Sequence, residues 1–242
     1  MEKMMKKVFI CFIVSAVFIF TSCAEIITVI DVKGSDLENL NAEGTKDTIL
    51  IIDTRPYTEY KNGHLPNAIN IPKNEINTRV NEFEDWKEKP IYVYADTDDD
   101  SFEAAKIFVE AGCKIIYNAE GIKQYSYKTI KYDCMRGVVF EQKINSPNII
   151  IIDCRTKQAY DMGHILGAIS IPSIPIAEFE KNIANLPKDK KLFLYCNVGS
   201  ASARAALTLS EAGFKEIYNT IDGVREYPFN LIQEETPPDK RK

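Results

Sequence analysis

Apolar residues fall along the chain in short, dense runs separated by longer amphipathic stretches. Residues 49–52, 91–94 and 115–117 are runs rich in Ile, Val and Tyr, and residues 149–152, 192–195 and 217–218 repeat the pattern. Runs that are apolar at consecutive positions, without alternation, mark strands covered on both faces, as in a parallel sheet. Helical stretches are expected between them at 75–86, 101–111, 176–186 and 201–212. Gly112 and Gly213 stand just past the second and fourth of these, where a glycine commonly ends a helix. Strand alternating with helix predicts an α/β architecture, with a central parallel sheet flanked by helices.

The pattern occurs twice. Residues 49–72 read ILIIDTRPYTEYKNGHLPNAINIP and residues 149–172 read IIIIDCRTKQAYDMGHILGAISIP. Asp53, Arg55, Tyr60, Gly63, His64, Ala68, Ile69, Ile71 and Pro72 recur 100 residues later as Asp153, Arg155, Tyr160, Gly163, His164, Ala168, Ile169, Ile171 and Pro172. Beyond them the register slips by one, so that Tyr94 matches Tyr195, and by one more at Gly121 and Gly223. Internal repetition of this length predicts two domains, each large enough for its own core. Their expected limits are 24–127 and 128–233, followed by a charged, proline-broken tail at 234–242 that is expected to be disordered.

The first 22 residues read differently. Lys3, Lys6 and Lys7 precede a nearly unbroken apolar run at 8–20, and Thr21, Ser22 and Cys23 follow. The run is shorter than the roughly 20 residues a membrane-spanning helix needs, and it suits the apolar region of an export signal. Phe20, Thr21, Ser22 and Cys23 resemble a bacterial lipoprotein signal, with Phe standing where Leu is usual. That resemblance implies a signal peptide at 1–22, a lipidated Cys23, and an exported protein anchored on a membrane at its periplasmic or cell-surface face.

Net charge is −5, with no basic stripe, so nucleic acid is not an expected partner. Two histidines and widely spaced cysteines give no metal-ligand pattern, and no metal or cofactor is expected. A disulfide between two of Cys113, Cys134 and Cys154 remains open on spacing alone.

Candidate chemistry concentrates at Cys196. It follows an apolar strand and precedes Asn197, Val198, Gly199, Ser200, Ala201 and Ser202, small residues that lead into a helix. Backbone N–H groups of such a loop can converge on a sulfur, and a helix N-terminus favours an anion there. Both favour a thiolate nucleophile. In the first repeat Ala95 stands in place of the cysteine, and Asp96, Asp98, Asp99 and Asp100 fill the loop. That repeat therefore carries no nucleophile, and its acidic loop would repel an anionic substrate.

The D-x-R pair after a strand and the G-H-x-x-x-A-x-x-I-P segment in both repeats, with the Y-C-x-x-G turn of the second, resemble the rhodanese family. A tandem form with the cysteine in the second domain resembles thiosulfate and 3-mercaptopyruvate sulfurtransferases. The resemblance implies transfer of a sulfane sulfur from a small donor of that class to a thiol or cyanide acceptor, through a persulfide on Cys196. Basic residues common in such loops are missing: Asn197 and Ala201 occupy those positions. Arg204 and Arg155 are the weaker candidates for substrate contact. Arg155 reads first as a structural partner of Asp153, and His64 and His164 read as structural because both repeats carry them. The rivals to the enzyme are a membrane-tethered, non-catalytic binding module, and a redox protein cycling Cys196 with Cys154 or Cys134.

Overall fold

The computed structural model describes residues 29–42 and 45–233. The expected signal at 1–22, Cys23 and the tail at 234–242 lie outside the described residues. Among the described residues, no helix is long and apolar enough to cross a membrane.

The first domain contains β1 (Val29–Val32), α1 (Gly34–Ala42), β2 (Leu50–Asp53), α2 (Tyr57–Asn62), β3 (Ile69–Asn70), β4 (Pro90–Tyr94), α3 (Asp98–Glu110) and β5 (Ile115–Ala119). The second contains β6 (Asp133–Met135), α4 (Gly137–Lys143), β7 (Ile149–Asp153), α5 (Lys157–Asp161), β8 (His164–Ile165), β9 (Ala168–Ser170), α6 (Ile176–Ile183), β10 (Lys191–Tyr195), α7 (Ser200–Glu211), β11 (Ile217–Thr220) and β12 (Leu231–Ile232). Each domain builds a five-stranded sheet, ordered β1-β5-β4-β2-β3 and β6-β11-β10-β7-β9, with every pairing parallel. The α/β fold read from the runs is therefore present twice.

The physical reason for the dense runs is visible in the packing. Along β10, Leu192 and Leu194 enter one apolar cluster while Phe193 and Tyr195 enter another on the opposite face. A strand sandwiched between helical layers must be apolar on both sides.

One expected helix is absent. Residues 75–86 form three 3-10 turns, Lys73–Thr78, Val80–Glu82 and Glu84–Trp86. Ile76, Phe83 and Trp86 are buried at helix-like spacing, which is what the pattern reported. Arg79 and Phe83, however, leave helical geometry with φ of −117° and −132°, and Thr78 Oγ1 donates back to Glu75 O at 2.8 Å. Asn74, Asn77, Thr78 and Asn81 make this a weak helix former whose polar side chains compete for the backbone.

The chain leaves the first domain after Ile130, which exchanges backbone hydrogen bonds with His64, and enters the second sheet at Asp133. The two domains meet where β3 approaches β6. Tyr60 Oη accepts from Cys134 N at 2.9 Å, and Tyr57 Oη donates to Asp133 Oδ2 at 2.6 Å. Arg136 binds Asp85 of the first domain and Asp222 of the second. Cys113, Cys134, Cys154 and Cys196 are all free thiols.

Candidate active site

β10 delivers the chain to Cys196, and the loop that follows is clasped from the side by the segment after β11. Val224 N donates to Cys196 O at 3.0 Å, and Arg225 N donates to Asn197 O at 3.1 Å. The approach leaves no room for side chains. A Cβ on Gly223 would lie 2.0 Å from the Asn197 carbonyl, and one on Gly199 would lie 2.2 Å from Ile221 O. Gly199 also has φ of +74°, the left-handed conformation that glycine adopts without steric cost. Its turn sets the start of α7 against the sulfur.

Cys196 is buried at 2% exposure, and Ser202 on the first turn of α7 places Oγ 3.4 Å from its Sγ. The same hydroxyl lies 3.0 Å from Gly199 O. No side chain caps α7, a helix of 12 residues, so its positive end faces the loop. Among the described residues, the amides of Asn197, Val198, Gly199, Ala201 and Ser202 donate to no protein group. These donors are free to receive an anion.

The first domain fills the same place with its own side chains. The amides of Asp98, Asp99 and Asp100 donate to Gln124 Oε1 at 2.6 Å, Asp98 Oδ1 at 3.0 Å and Thr97 Oγ1 at 3.2 Å. Asp96, the counterpart of Asn197, pairs with Lys123 at 2.8 Å. Carboxylates at a helix N-terminus satisfy its donors and complement its dipole. The acidic loop is thus a closed structural cap around Ala95, whereas the loop around Cys196 keeps its donors uncommitted.

The rhodanese-like domain family matches the chain twice, at residues 35–128 and 138–228. The chain belongs to the rhodanese-like family. Among its curated relatives, the "Putative sulfur carrier protein YrkF" of Bacillus subtilis is 33% identical over 89 residues, 36% of this chain and 46% of that one. The tRNA uridine(34) hydroxylase of Photorhabdus laumondii is 29% identical over 115 residues, 45% of this chain and 32% of that one. The chain thus spans less than half the length of either. Thiosulfate sulfurtransferase from Pseudomonas aeruginosa aligns in structure over 85% of this chain and 44% of its own, at 15% identity and a TM-score of 0.36.

Within both rhodanese-like domains, the D-x-R motif is a buried clamp. Arg155 reaches Asp153 at 2.6 Å and Gly163 O at 2.6 Å, and Arg55 makes the same contacts with Asp53 and Gly63 O at 2.6 and 2.7 Å. The clamp lies on the sheet face opposite Cys196, so Arg155 is not placed for the substrate contact weighed for it. His64 and His164 stack on Tyr60 and Tyr160 at 3.6 and 3.8 Å, and Nδ1 of each donates to the same tyrosine's carbonyl. Arg204 lies on the exposed stripe of α7 with Ser200 and Leu207, while Ser202, Ala205, Ala206 and Leu209 face inward.

The sequence reading missed Arg225. Its backbone is bonded to the Cys196 loop, its side chain is exposed, and no ion pair holds it among the described residues. Its counterpart Lys123 is engaged by Asp96, but Asn197 in place of that aspartate leaves Arg225 available. A signal existed in the repeat, since a cation follows two residues after the last glycine in both domains.

Proposed function

We propose that this protein is a sulfurtransferase in which Cys196 takes a sulfane sulfur from a small donor of the thiosulfate or 3-mercaptopyruvate class. The sulfur is held as a persulfide and passed to a thiol or cyanide acceptor. The observation that carries this reading is the contrast at the two helix starts. The amides of Gly199, Ala201 and Ser202 beside Cys196 are uncommitted among the described residues, while Asp98, Asp99 and Asp100 of the cysteine-free loop give theirs to side chains. Convergent N–H groups at a helix N-terminus stabilise a thiolate and the terminal sulfur of a persulfide anion alike. Similarity to a protein named as a sulfur carrier supports the same chemistry. Arg225 is the cation we assign to attract an anionic donor, replacing the loop cations that Asn197 and Ala201 lack. The first domain supports the second through their shared core and performs no transfer itself. In this reading the protein works at a membrane surface, exported and held by acyl chains on Cys23.

Thiocyanate formation from thiosulfate and cyanide tests the activity. Turnover by the native protein that Cys196→Ser abolishes, and that Ala95→Ser leaves unchanged, is expected. Equal rates for native protein and Cys196→Ser would refute it and leave the binding module. Labelled palmitate incorporated by the native chain but not by Cys23→Ser tests the anchor.

A further inference from the structure

The cysteine loop holds a second thiol that the transfer reaction does not use. β7 and β10 run parallel with Asp153 opposite Tyr195, and Cys154 N continues the ladder by donating to Tyr195 O at 2.9 Å. The next rung therefore sets Cys154 opposite Cys196. Neighbouring strands lie about 4.8 Å apart, within the Cα separation of about 4.4–6.8 Å that a disulfide spans.

The side chains also share a face. Tyr195 Oη donates to Asp153 Oδ2 at 2.7 Å on one side of the sheet. By alternation, Cys154 and Cys196 project to the other, and both belong to the apolar cluster beneath α7. Burial first, and then the neighbouring Cys196, hold the Cys154 thiol well above the ordinary cysteine range. Cys154 therefore carries the proton that the leaving sulfur can take up. In the first domain the same rung is Thr54 opposite Ala95, so the thiol pair exists only beside the candidate nucleophile.

We infer that Cys154 is a resolving thiol that discharges the sulfur carried by Cys196 as sulfide, an inference that rests on the persulfide reading above. Sγ of Cys154 attacks Sγ of the Cys196 persulfide, and a bond forms between the two cysteine sulfurs. The bond from Cys196 Sγ to the sulfane sulfur breaks, and that sulfur leaves with the bonding pair and the proton of Cys154 as hydrosulfide. The sulfane sulfur gains two electrons and the two cysteine sulfurs lose two, so no outside oxidant enters. An external dithiol reductant then reopens the disulfide by exchange. The protein thus acquires a second acceptor route, from sulfane donor to hydrogen sulfide, in which the acceptor is built in.

The test gives thiosulfate, without any thiol acceptor, to the native protein and to Cys154→Thr, which restores the residue found at position 54. The native chain should release about one sulfide per molecule and end about 2 Da lighter, with Cys154 and Cys196 in one disulfide-linked peptide. Cys154→Thr should keep its added sulfur and release none. A native persulfide as long-lived as that of the variant overturns the inference. If neither protein takes up sulfur, the transferase reading fails, and diamide oxidation then decides the pair. A Cys154–Cys196 disulfide would uphold the two thiols as a redox couple, and unchanged thiols would overturn the inference as well.

Discussion

Ser202 donates to the sulfur of Cys196 across 3.4 Å, whereas its counterpart Ser101 gives its hydroxyl to Asn118 Oδ1 at 2.6 Å. The two serines occupy equivalent positions on equivalent helices, and the residue opposite decides where each turns. With Ala95 in place of the cysteine, Ser101 completes a polar network through Asn118 to Asp31. With Cys196 present, the hydroxyl lies between the sulfur at 3.4 Å and Gly199 O at 3.0 Å. A hydrogen bond contributes about 0.5–1.5 kcal/mol net, and sulfur is a weak acceptor, so the lower end applies. Ser202→Ala is expected to slow alkylation of Cys196 by iodoacetamide at neutral pH about two- to threefold. An unchanged rate would remove Ser202 from the site.

Asn219 loses both of Asn118's partners: Ser202 turns away from its Oδ1, and Cys134 stands opposite it where Asp31 stands opposite Asn118. It is fully buried, and neither its Nδ2 nor its Oδ1 has a partner among the described residues, while Asn118 has both. An unsatisfied buried polar group costs about 1–3 kcal/mol. Asn219→Leu should therefore be neutral or stabilising in urea denaturation, and Asn118→Leu should destabilise by about 1–3 kcal/mol. Equal losses for both would mean that Asn219 is satisfied in solution.

Arg225 gives a kinetic prediction. Arg225→Gln should raise the thiosulfate concentration needed for half-maximal rate severalfold while leaving the rate at saturation within about twofold, because an exposed cation aids encounter more than chemistry. Raising the salt concentration should narrow the difference between the two proteins. A lowered saturating rate with unchanged thiosulfate dependence would contradict the assignment.

His64 sets a pH dependence of stability. Burial, with the charges of Arg55 and Lys61 adding to it, lowers its pKa to about 3 from the ordinary histidine value of 6.5. The unfolded chain therefore binds a proton that the folded chain refuses. Stability is complete above about pH 6.5 and falls by about 1.4 kcal/mol per unit as the pH drops towards 3. His64→Phe, which keeps a ring against Tyr60, should flatten that part of the curve measured by urea denaturation. A slope unchanged by the substitution would assign the acid sensitivity to other groups.

Much of this was legible in the sequence because the physics behind it is local. Ile149, Ile150, Ile151 and Ile152 can be apolar together only in a strand buried on both faces, and β7 is the second strand from one edge of such a sheet. The equal fate of Asp53–Arg55 and Asp153–Arg155 followed from their recurrence in domains with and without a nucleophile. Short edge strands did not announce themselves. β1, with Asp31 in its middle, and β6, with Asp133 at its start, are completed by partners distant in sequence. Arg225 escaped for a similar reason, since it reaches the loop through a hydrogen bond to Asn197, 28 residues away. The spacing of Ile76, Val80 and Phe83 misled in the opposite direction: burial of one side requires a turn-rich segment, and α-helix is only one way to supply it.

The central claim is that Cys196 carries sulfur. Its most direct test is the intact mass of residues 24–242 after brief exposure to thiosulfate or 3-mercaptopyruvate, made on Cys154→Thr so that an internal thiol cannot discharge the product. Cys154→Thr should gain about 32 Da, the mass of one sulfur atom, reversible by dithiothreitol, and the same chain with Cys196→Ser should gain nothing. No gain from either donor, with Cys196 shown to be reduced, would contradict the account.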